Sequence, residues 1–264
     1  MTSTTFIGAG NISQALIGGY LKTGQADRIV ASDPVSAQLD KLPAEVVRTN
    51  DNIQAIADSQ TVVLCLKPGM MSKICQTLRG QTDDKLFISV AAGITIESLN
   101  NWLGEDTAVI RCMPNTPALV QQGMTGLFAN TRVTDSQRNI AENILGSVGK
   151  VLWFSTESAL DTVTAISGSG PAYYFLVMES MQQAGIGLGL TADESRVLVL
   201  QTALGAAQMA IDSDLTTEQL RINVTSHGGT TQAALTKLMG AGLTELFAEA
   251  IEAAFERSKE LSRA

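Results

Sequence analysis

The chain has 264 residues, 45% hydrophobic and 17% charged, with a formal net charge of −8. That is enough for two modest domains with a sizeable core, and the composition excludes a disordered chain. The acidic balance excludes a surface built for nucleic acid or an anionic membrane. An anionic ligand would have to be held by backbone dipoles and a few local cations.

The first stretch, residues 5–17, reads as a buried strand, a glycine turn and a helix. Gly8 permits the tight turn, Gly10 lets backbone approach something bulky, and a helix starting near Asn11 points its free N–H groups and positive dipole end at the same place. This arrangement binds a pyrophosphate. Position 13 is Ser13, where the dinucleotide-binding fingerprint wants glycine or alanine, so helix–strand packing is expected to be looser there.

Residues 28–32 read as a second strand ending at Asp33-Pro34. An acid about 20 positions beyond the glycines reads the ribose 2′-hydroxyl of NAD. Asp33 fits that role, and it equally fits a helix N-cap with Pro34 at the first helical position. A continuous apolar strand at 61–66 ends at Lys67-Pro68-Gly69, as in a parallel sheet covered on both faces. Strands at 86–92, before Gly93, and at 108–112, before Met113-Pro-Asn-Thr-Pro117, repeat the pattern. Helical stretches at 71–78, 96–103 and 136–145 alternate with them, and a strand at 150–154 closes the region. Such alternation predicts an α/β, doubly wound, Rossmann-like sheet over residues 1–157.

Beyond residue 157 strand signals vanish. Helices are predicted at 171–184, 192–211, 218–224, 231–239 and 244–261, making residues 158–264 an all-helical domain. Thr191 with Glu194, and Thr216 with Gln219, have capping-box spacing. The 192–211 helix is apolar around most of its circumference. Gln201 and Gln208 interrupt its most apolar part, so it reads as a buried helix and not a membrane span. A small helical domain covers such a helix poorly, and homodimerisation would cover it.

Cys65, Cys75 and Cys112 sit in apolar surroundings, and no Cys/His spacing suggests a metal. With no basic region and apolar run at the N-terminus, a cytoplasmic location is expected. Two polar, glycine-containing stretches, 166–173 and 224–231, each precede a helix and expose unpaired N–H groups and hydroxyls. They read as a carboxylate-binding device or simply as helix caps. His227, the only histidine, reads as a loop residue more readily than as a general base. Lys67, at a strand end, is a better ligand candidate than Arg111, which lies inside a strand.

Taken together, the motifs Ile7-Gly-Ala-Gly-Asn, Leu66-Lys-Pro, Val90-Ala-Ala-Gly, Arg111-Cys-Met-Pro-Asn-Thr-Pro, Ile166-Ser-Gly-Ser-Gly-Pro-Ala-Tyr and Val224-Thr-Ser-His-Gly-Gly-Thr-Thr resemble Δ1-pyrroline-5-carboxylate reductase, in that order and over nearly the whole chain. The resemblance implies reduction of L-1-pyrroline-5-carboxylate to L-proline by NAD(P)H, the last step of proline biosynthesis. It implies that Ile7, Gly8, Ala9, Gly10, Asn11 and Ile12 grip the pyrophosphate and that Asp33 and Asn52 lie near the adenosine. Cys65, Leu66, Lys67 and Pro68, with Ala91, Ala92 and Gly93, would line the nicotinamide half. Asn115 would face the nicotinamide and substrate. Val224, Ser226, Gly228, Gly229, Thr230 and Thr231 would form the substrate loop, with backbone N–H groups on the carboxylate and Thr231 as the catalytic hydroxyl near the imine nitrogen. Dimers through the helical domain, arranged as a ring of five, are also implied.

Three positions depart from the resembled pattern: Ser13, His227, and Asp33, where many members have a neutral residue. A carboxylate at 33 would repel a 2′-phosphate, which leans to NADH, whereas the resemblance leans to NADPH. NADPH is put first and NADH stays possible. The rival enzyme readings are another imine reductase or a β-hydroxyacid dehydrogenase. The latter uses a helical lysine base, and no lysine occurs between Val151 and Thr236. A non-catalytic NAD(P)-binding sensor is the rival from a different class, but it would need no hydroxyl-rich loops.

Overall fold

The computed structural model describes residues 3–263. Its contacts divide the chain into two compact units, Met1–Ser169 with Ala253–Ala264, and Gly170–Glu252.

The first unit is built on one eight-stranded sheet. Its strands are β1 (Ser3–Ile7), β2 (Arg28–Ser32), β3 (Val47–Thr49), β4 (Thr61–Leu64), β5 (Leu86–Ser89), β6 (Ala108–Met113), β7 (Gly123–Ala129) and β8 (Gly149–Trp153). The spatial order is β3-β2-β1-β4-β5-β6-β7-β8. Every pairing is parallel except β6 with β7. The order reverses between β1 and β4, and open α/β sheets bind ligands at the carboxyl ends of their strands where it does so.

The side-chain period of two sorts the central strands into two cores. Phe6, Ile29, Ala31, Val63, Leu86, Ile88 and Ile110 join one cluster with Leu16 and Ile17 of α1 (Asn11–Lys22) and Ile144 and Leu145 of α6 (Asp135–Gly146). Ile7, Val30, Val62, Leu64, Phe87 and Val109 join the other, with Met71 and Leu78 of α4 (Pro68–Leu78) and Leu99 and Leu103 of α5 (Ile96–Leu103). Short helices α2 (Ser36–Leu39), α3 (Asn52–Ile56) and α7 (Ala159–Val163) complete the layers.

The strands expected at 28–32, 61–66, 86–92, 108–112 and 150–154 are present with slightly different ends. β3 and β7 are not among the expected strands. β3 has only three residues, and β7 reads Gly-Met-Thr-Gly-Leu-Phe-Ala, whose glycines mask the strand pattern. The glycines have a packing reason. A Cβ on Gly126 would stand 2.8 Å from Val163 Cγ1 and 3.1 Å from Phe154 Cε2, and one on Gly123 would stand 3.0 Å from the Val148 carbonyl oxygen.

The second unit holds α8 (Gly170–Gly187), α9 (Ala192–Asp212), α10 (Thr217–Asn223), α11 (Thr230–Gly240) and the first half of α12 (Leu243–Arg263). Thr191 and Glu194 form a full capping box. Thr216 caps the Gln219 N–H, but the Gln219 side chain turns to Asn223, so only half a box forms there. Within one chain the helix expected at 192–211 is largely uncovered, as a helix that awaits a second copy would be. Only Ser195 and Val199 of α9 are buried, while Val197 is 62% and Leu204 63% exposed. One chain has too few neighbouring helices to surround a helix that is apolar around most of its circumference.

A boundary at 157/158 follows the loss of strand pattern, whereas compactness divides the chain after Ser169. Residues 159–168 pack on the sheet, and Asp161 accepts a hydrogen bond from Ser258 Oγ at 2.7 Å. Because β7 needs the space at Gly126, Gly126→Val is expected to lower unfolding stability by about 1–3 kcal/mol, a typical overpacking cost, measured by urea denaturation. An unchanged midpoint would mean that α7 yields freely.

Candidate active site

The turn between β1 and α1 is held by close backbone approach. Gly8 has φ +95°, and a Cβ there would lie 2.4 Å from the Cys65 carbonyl oxygen, so only glycine fits. Gly8 N–H donates to the Ser32 carbonyl at 2.7 Å and Cys65 N–H to that of Ile7 at 2.8 Å, which locks the turn to β2 and to the end of β4. Gly10 is the opposite case. It is the N-cap of α1 with φ −72°, it carries no cap, and a Cβ added to it would meet nothing within 4 Å. The first turn of α1 has no acidic residue. An open cradle before an uncapped helix N-terminus fits a pyrophosphate.

Ser13 is accommodated inside the core. It is fully buried, facing Cys65 across the helix–strand contact. Burial pushes the Cys65 thiol up to about 12, and the Ser13 hydroxyl offsets a little of that. Burial likewise raises Cys75 and Cys112, so all three are neutral thiols and none is a nucleophile at pH 7.

Asp33 does not cap a helix. The N-cap of α2 is Val35, and Pro34 lies outside that helix. One Asp33 oxygen accepts from the Val35 N–H and the other from the Ala9 N–H, both at 2.8 Å. The carboxylate is thus fixed at the end of β2 and braces the glycine turn. Asn52, the first residue of α3, accepts from Ser32 Oγ at 2.7 Å at the same edge. Lys67 is exposed and caps α4, with Pro68 at its first position.

At the end of β5, Ala91 and Gly93 are buried and Ala92 half-buried. Asn115 lies in the turn after β6, and its side chain is engaged within the protein. Its Oδ1 accepts from Met124 N–H at 2.9 Å, and its Nδ2 donates to the Ser167 carbonyl at 3.0 Å. Ser167 belongs to a π-helical turn, Thr164–Gly168, and the loop expected at 166–173 is instead divided between that turn and the first turn of α8. In this unit the structure thus brings residues 7–12, Asp33, Asn52, residues 65–68 and residues 91–93 to one edge of the sheet.

In the helical unit, the 224–231 stretch is a loop leading into α11. Gly228 has φ +73° and its N–H donates to Gln232 Oε1 at 2.5 Å. Gly229 is the N-cap with no side-chain cap, and a Cβ there would lie 2.5 Å from Ser226 Oγ. The first turn of α11, with Thr230 and Thr231, is therefore left uncapped. Val224 and Thr231 line a cavity of about 330 Å³ with Met209, Leu220, Arg221 and Leu235. In the sequence Arg221 has the pattern of an ordinary basic residue at a helix end, and only the fold puts it on this wall. His227 is exposed.

Among the described residues no His/Cys/Asp/Glu cluster suits a metal ion, and no helix is long and apolar enough to cross a membrane.

Comparison with known proteins bears on this arrangement. Residues 157–261 match the family model described as pyrroline-5-carboxylate reductase dimerisation. Residues 3–93 match the one described as NADP oxidoreductase coenzyme F420-dependent. A pyrroline-5-carboxylate reductase of Pseudomonas aeruginosa is 46% identical over 261 residues, covering 97% of this chain and 96% of that protein. The solved pyrroline-5-carboxylate reductase of Coxiella burnetii superposes with a TM-score of 0.95 at 41% identity, covering 100% of this chain and 99% of that one. A Plasmodium falciparum pyrroline carboxylate reductase solved with NADP bound has a TM-score of 0.88 at 29% identity, with 99% and 98% covered.

Two outcomes follow from the sheet edge. Gly10→Val should fold normally, because the position is open and its φ ordinary. Its affinity for reduced cofactor should fall at least about tenfold, since a branched side chain would stand where the pyrophosphate passes. Unchanged affinity by fluorescence titration would remove the turn from the site. Asp33→Ser should raise the ratio of kcat/KM for NADPH over NADH. Like charges a few ångströms apart cost on the order of 1–4 kcal/mol at an effective dielectric of about 20, and screening reduces this. An unmoved ratio would leave Asp33 as a brace for Ala9 alone.

Proposed function

The chain belongs to the pyrroline-5-carboxylate reductase family, and from that premise we propose how its own residues serve the reaction. The enzyme is an oxidoreductase that reduces L-1-pyrroline-5-carboxylate to L-proline with NADPH, with NADH possible, in the last step of proline biosynthesis. The observation that carries the assignment is the nearly full-length match, together with an open Gly10 cradle that suits a dinucleotide.

When bound, the cofactor supplies the hydride that the imine carbon receives. Residues 7–12 hold the pyrophosphate through backbone N–H groups, Asp33 and Asn52 meet the adenosine half, and Cys65, Leu66, Lys67, Pro68, Ala91, Ala92 and Gly93 line the nicotinamide half. The support for this reading is that all of them share one edge of the sheet. Asn115 serves the same half by holding the turn after β6 in place, since its amide is already bonded at Met124 and Ser167.

The substrate carboxylate is assigned to the N–H groups at the uncapped start of α11, with Ser226, Gly228, Gly229 and Thr230 shaping the loop and Val224 contributing apolar contact. Thr231 is assigned to the imine nitrogen, directly or through a water that delivers the proton. A protonated cyclic imine is a strong hydride acceptor, so the protein need only align, exclude water and supply at most one proton. No histidine or lysine base is required, in keeping with one exposed histidine.

The segment 158–264 is read as the substrate-binding and dimerisation domain. The dimerisation match and the exposed apolar residues of α8 and α9 support a homo-oligomer. We take a dimer as its unit and a ring of five dimers as the assembly. A cytoplasmic location is proposed from the three free cysteines.

Turnover of pyrroline-5-carboxylate, followed by loss of reduced-cofactor absorbance, tests the function. Within it, Thr231→Ala should lower kcat by roughly 10- to 150-fold, the worth of a lost hydrogen bond to a charged group. Reduced-cofactor affinity should stay nearly unchanged, and His227→Ala should cost little. If His227→Ala removes most of the rate and a titration near neutral pH while Thr231→Ala is nearly silent, the proton belongs to the histidine.

A further inference from the structure

We propose that Arg111 is a positioning residue for the nicotinamide half of the cofactor, acting through two carboxylates that clamp the 91–93 loop from both sides. The proposal rests on the reading above that this loop lines the nicotinamide.

Arg111 sits inside β6, and its side chain is only 5% exposed. A guanidinium buried in a strand is costly unless paired and hydrogen-bonded. Its Nη1 donates to Glu157 Oε1 at 3.0 Å, and its Nη2 lies 4.0 Å from Asp161 Oδ1. Neither acid stops at Arg111.

Glu157 Oε1 also accepts the Ile96 N–H at 2.8 Å. Ile96 opens α5, three residues after Gly93. Glu157 therefore fixes the downstream end of the loop. Asp161 Oδ1 accepts from Ser258 Oγ at 2.7 Å and from Ser262 Oγ at 3.5 Å, one turn apart near the end of α12. Between those serines on the chain lies Leu261. A Cβ on Gly93, which has φ +72°, would stand 3.0 Å from Leu261 Cβ and 3.2 Å from its carbonyl oxygen. The end of α12 is thus pressed onto the loop itself, and only glycine allows the contact.

The two clamps meet at one cation. Glu157 holds the exit of the loop, Asp161 holds the helix that presses on Gly93, and Arg111 fixes the spacing of both acids from β6. None of these groups needs to touch the cofactor. Their effect is to hold residues 91–93 in one conformation, so that the loop is formed before the cofactor arrives.

The test compares two probes, NADPH and 2′-phospho-ADP-ribose, which lacks the nicotinamide, by calorimetry on the full-length protein. Ser258→Ala and Glu157→Ala are expected to weaken NADPH by about tenfold and leave the truncated probe unchanged. Glu157→Gln keeps an acceptor for Arg111 and for Ile96 N–H, and should restore most of the loss. KM for NADPH should rise in the alanine variants with KM for the imine unmoved. The proposal fails if both probes weaken together, if neither moves in Ser258→Ala, or if Glu157→Gln is as damaged as Glu157→Ala. Because the split is read by binding alone, it survives a wild-type protein that turns over no pyrroline-5-carboxylate. That result would count against the substrate assignment and not against the clamp.

Discussion

The approach of Gly8 to the Cys65 carbonyl is the contact on which the cofactor edge depends. A β-carbon cannot be accommodated there, and the positive φ of the residue turns the chain from β1 directly into α1. The Gly8 and Cys65 N–H groups then bond to neighbouring strands, so the turn is fixed by β2 and β4 and not by its own sequence. Asp33 adds a third tie through the Ala9 N–H. What remains open is the space at Gly10 and the uncapped start of α1. The same constraint that closes one side of the turn leaves the other side free for an anion.

Ionic groups inside the first unit do a different kind of work. Arg111, Glu157 and Asp161 lie where hydrophobic residues would pack at lower desolvation cost. Their value is directional. A guanidinium hydrogen-bonded to Glu157 and ion-paired with Asp161 ties β6 to the start of α5 and the end of α12, which apolar contacts would not specify. Asn115 is a neutral version of the same device, joining the turn after β6 to β7 and to the π-helical turn.

The helical unit carries its meaning on its surface. Tyr174, Phe175 and Leu176 of α8 and Val197, Leu198 and Leu204 of α9 are all more than half exposed. Single exposed apolar residues are ordinary, but a concentration on adjoining helices is what a dimerisation segment presents. The match of residues 157–261 to a dimerisation family agrees with it.

Much of this was legible in the sequence, because local rules settle it. Apolar runs of strand length, glycines after the first of them, capping residues at 191 and 216 and the change of texture near 157 report backbone preference and periodicity, which act over a few residues. The motifs likewise marked the family. What the tertiary structure decided concerns partners distant in the chain. Whether Asp33 caps a helix or braces a turn depends on Ala9, 24 residues away. That the Asn115 amide joins Met124 to Ser167 likewise depends on residues 9 and 52 positions away. The strand at 123–129 was hidden because its glycines answer to Val163, Phe154 and Val148, not to a strand's own preferences. Arg111 reads in the sequence only as a charge inside a strand, and the fold supplies its partners Glu157 and Asp161, 46 and 50 residues on. Local preference is written residue by residue, whereas the neighbours of a buried polar group are chosen by the fold as a whole.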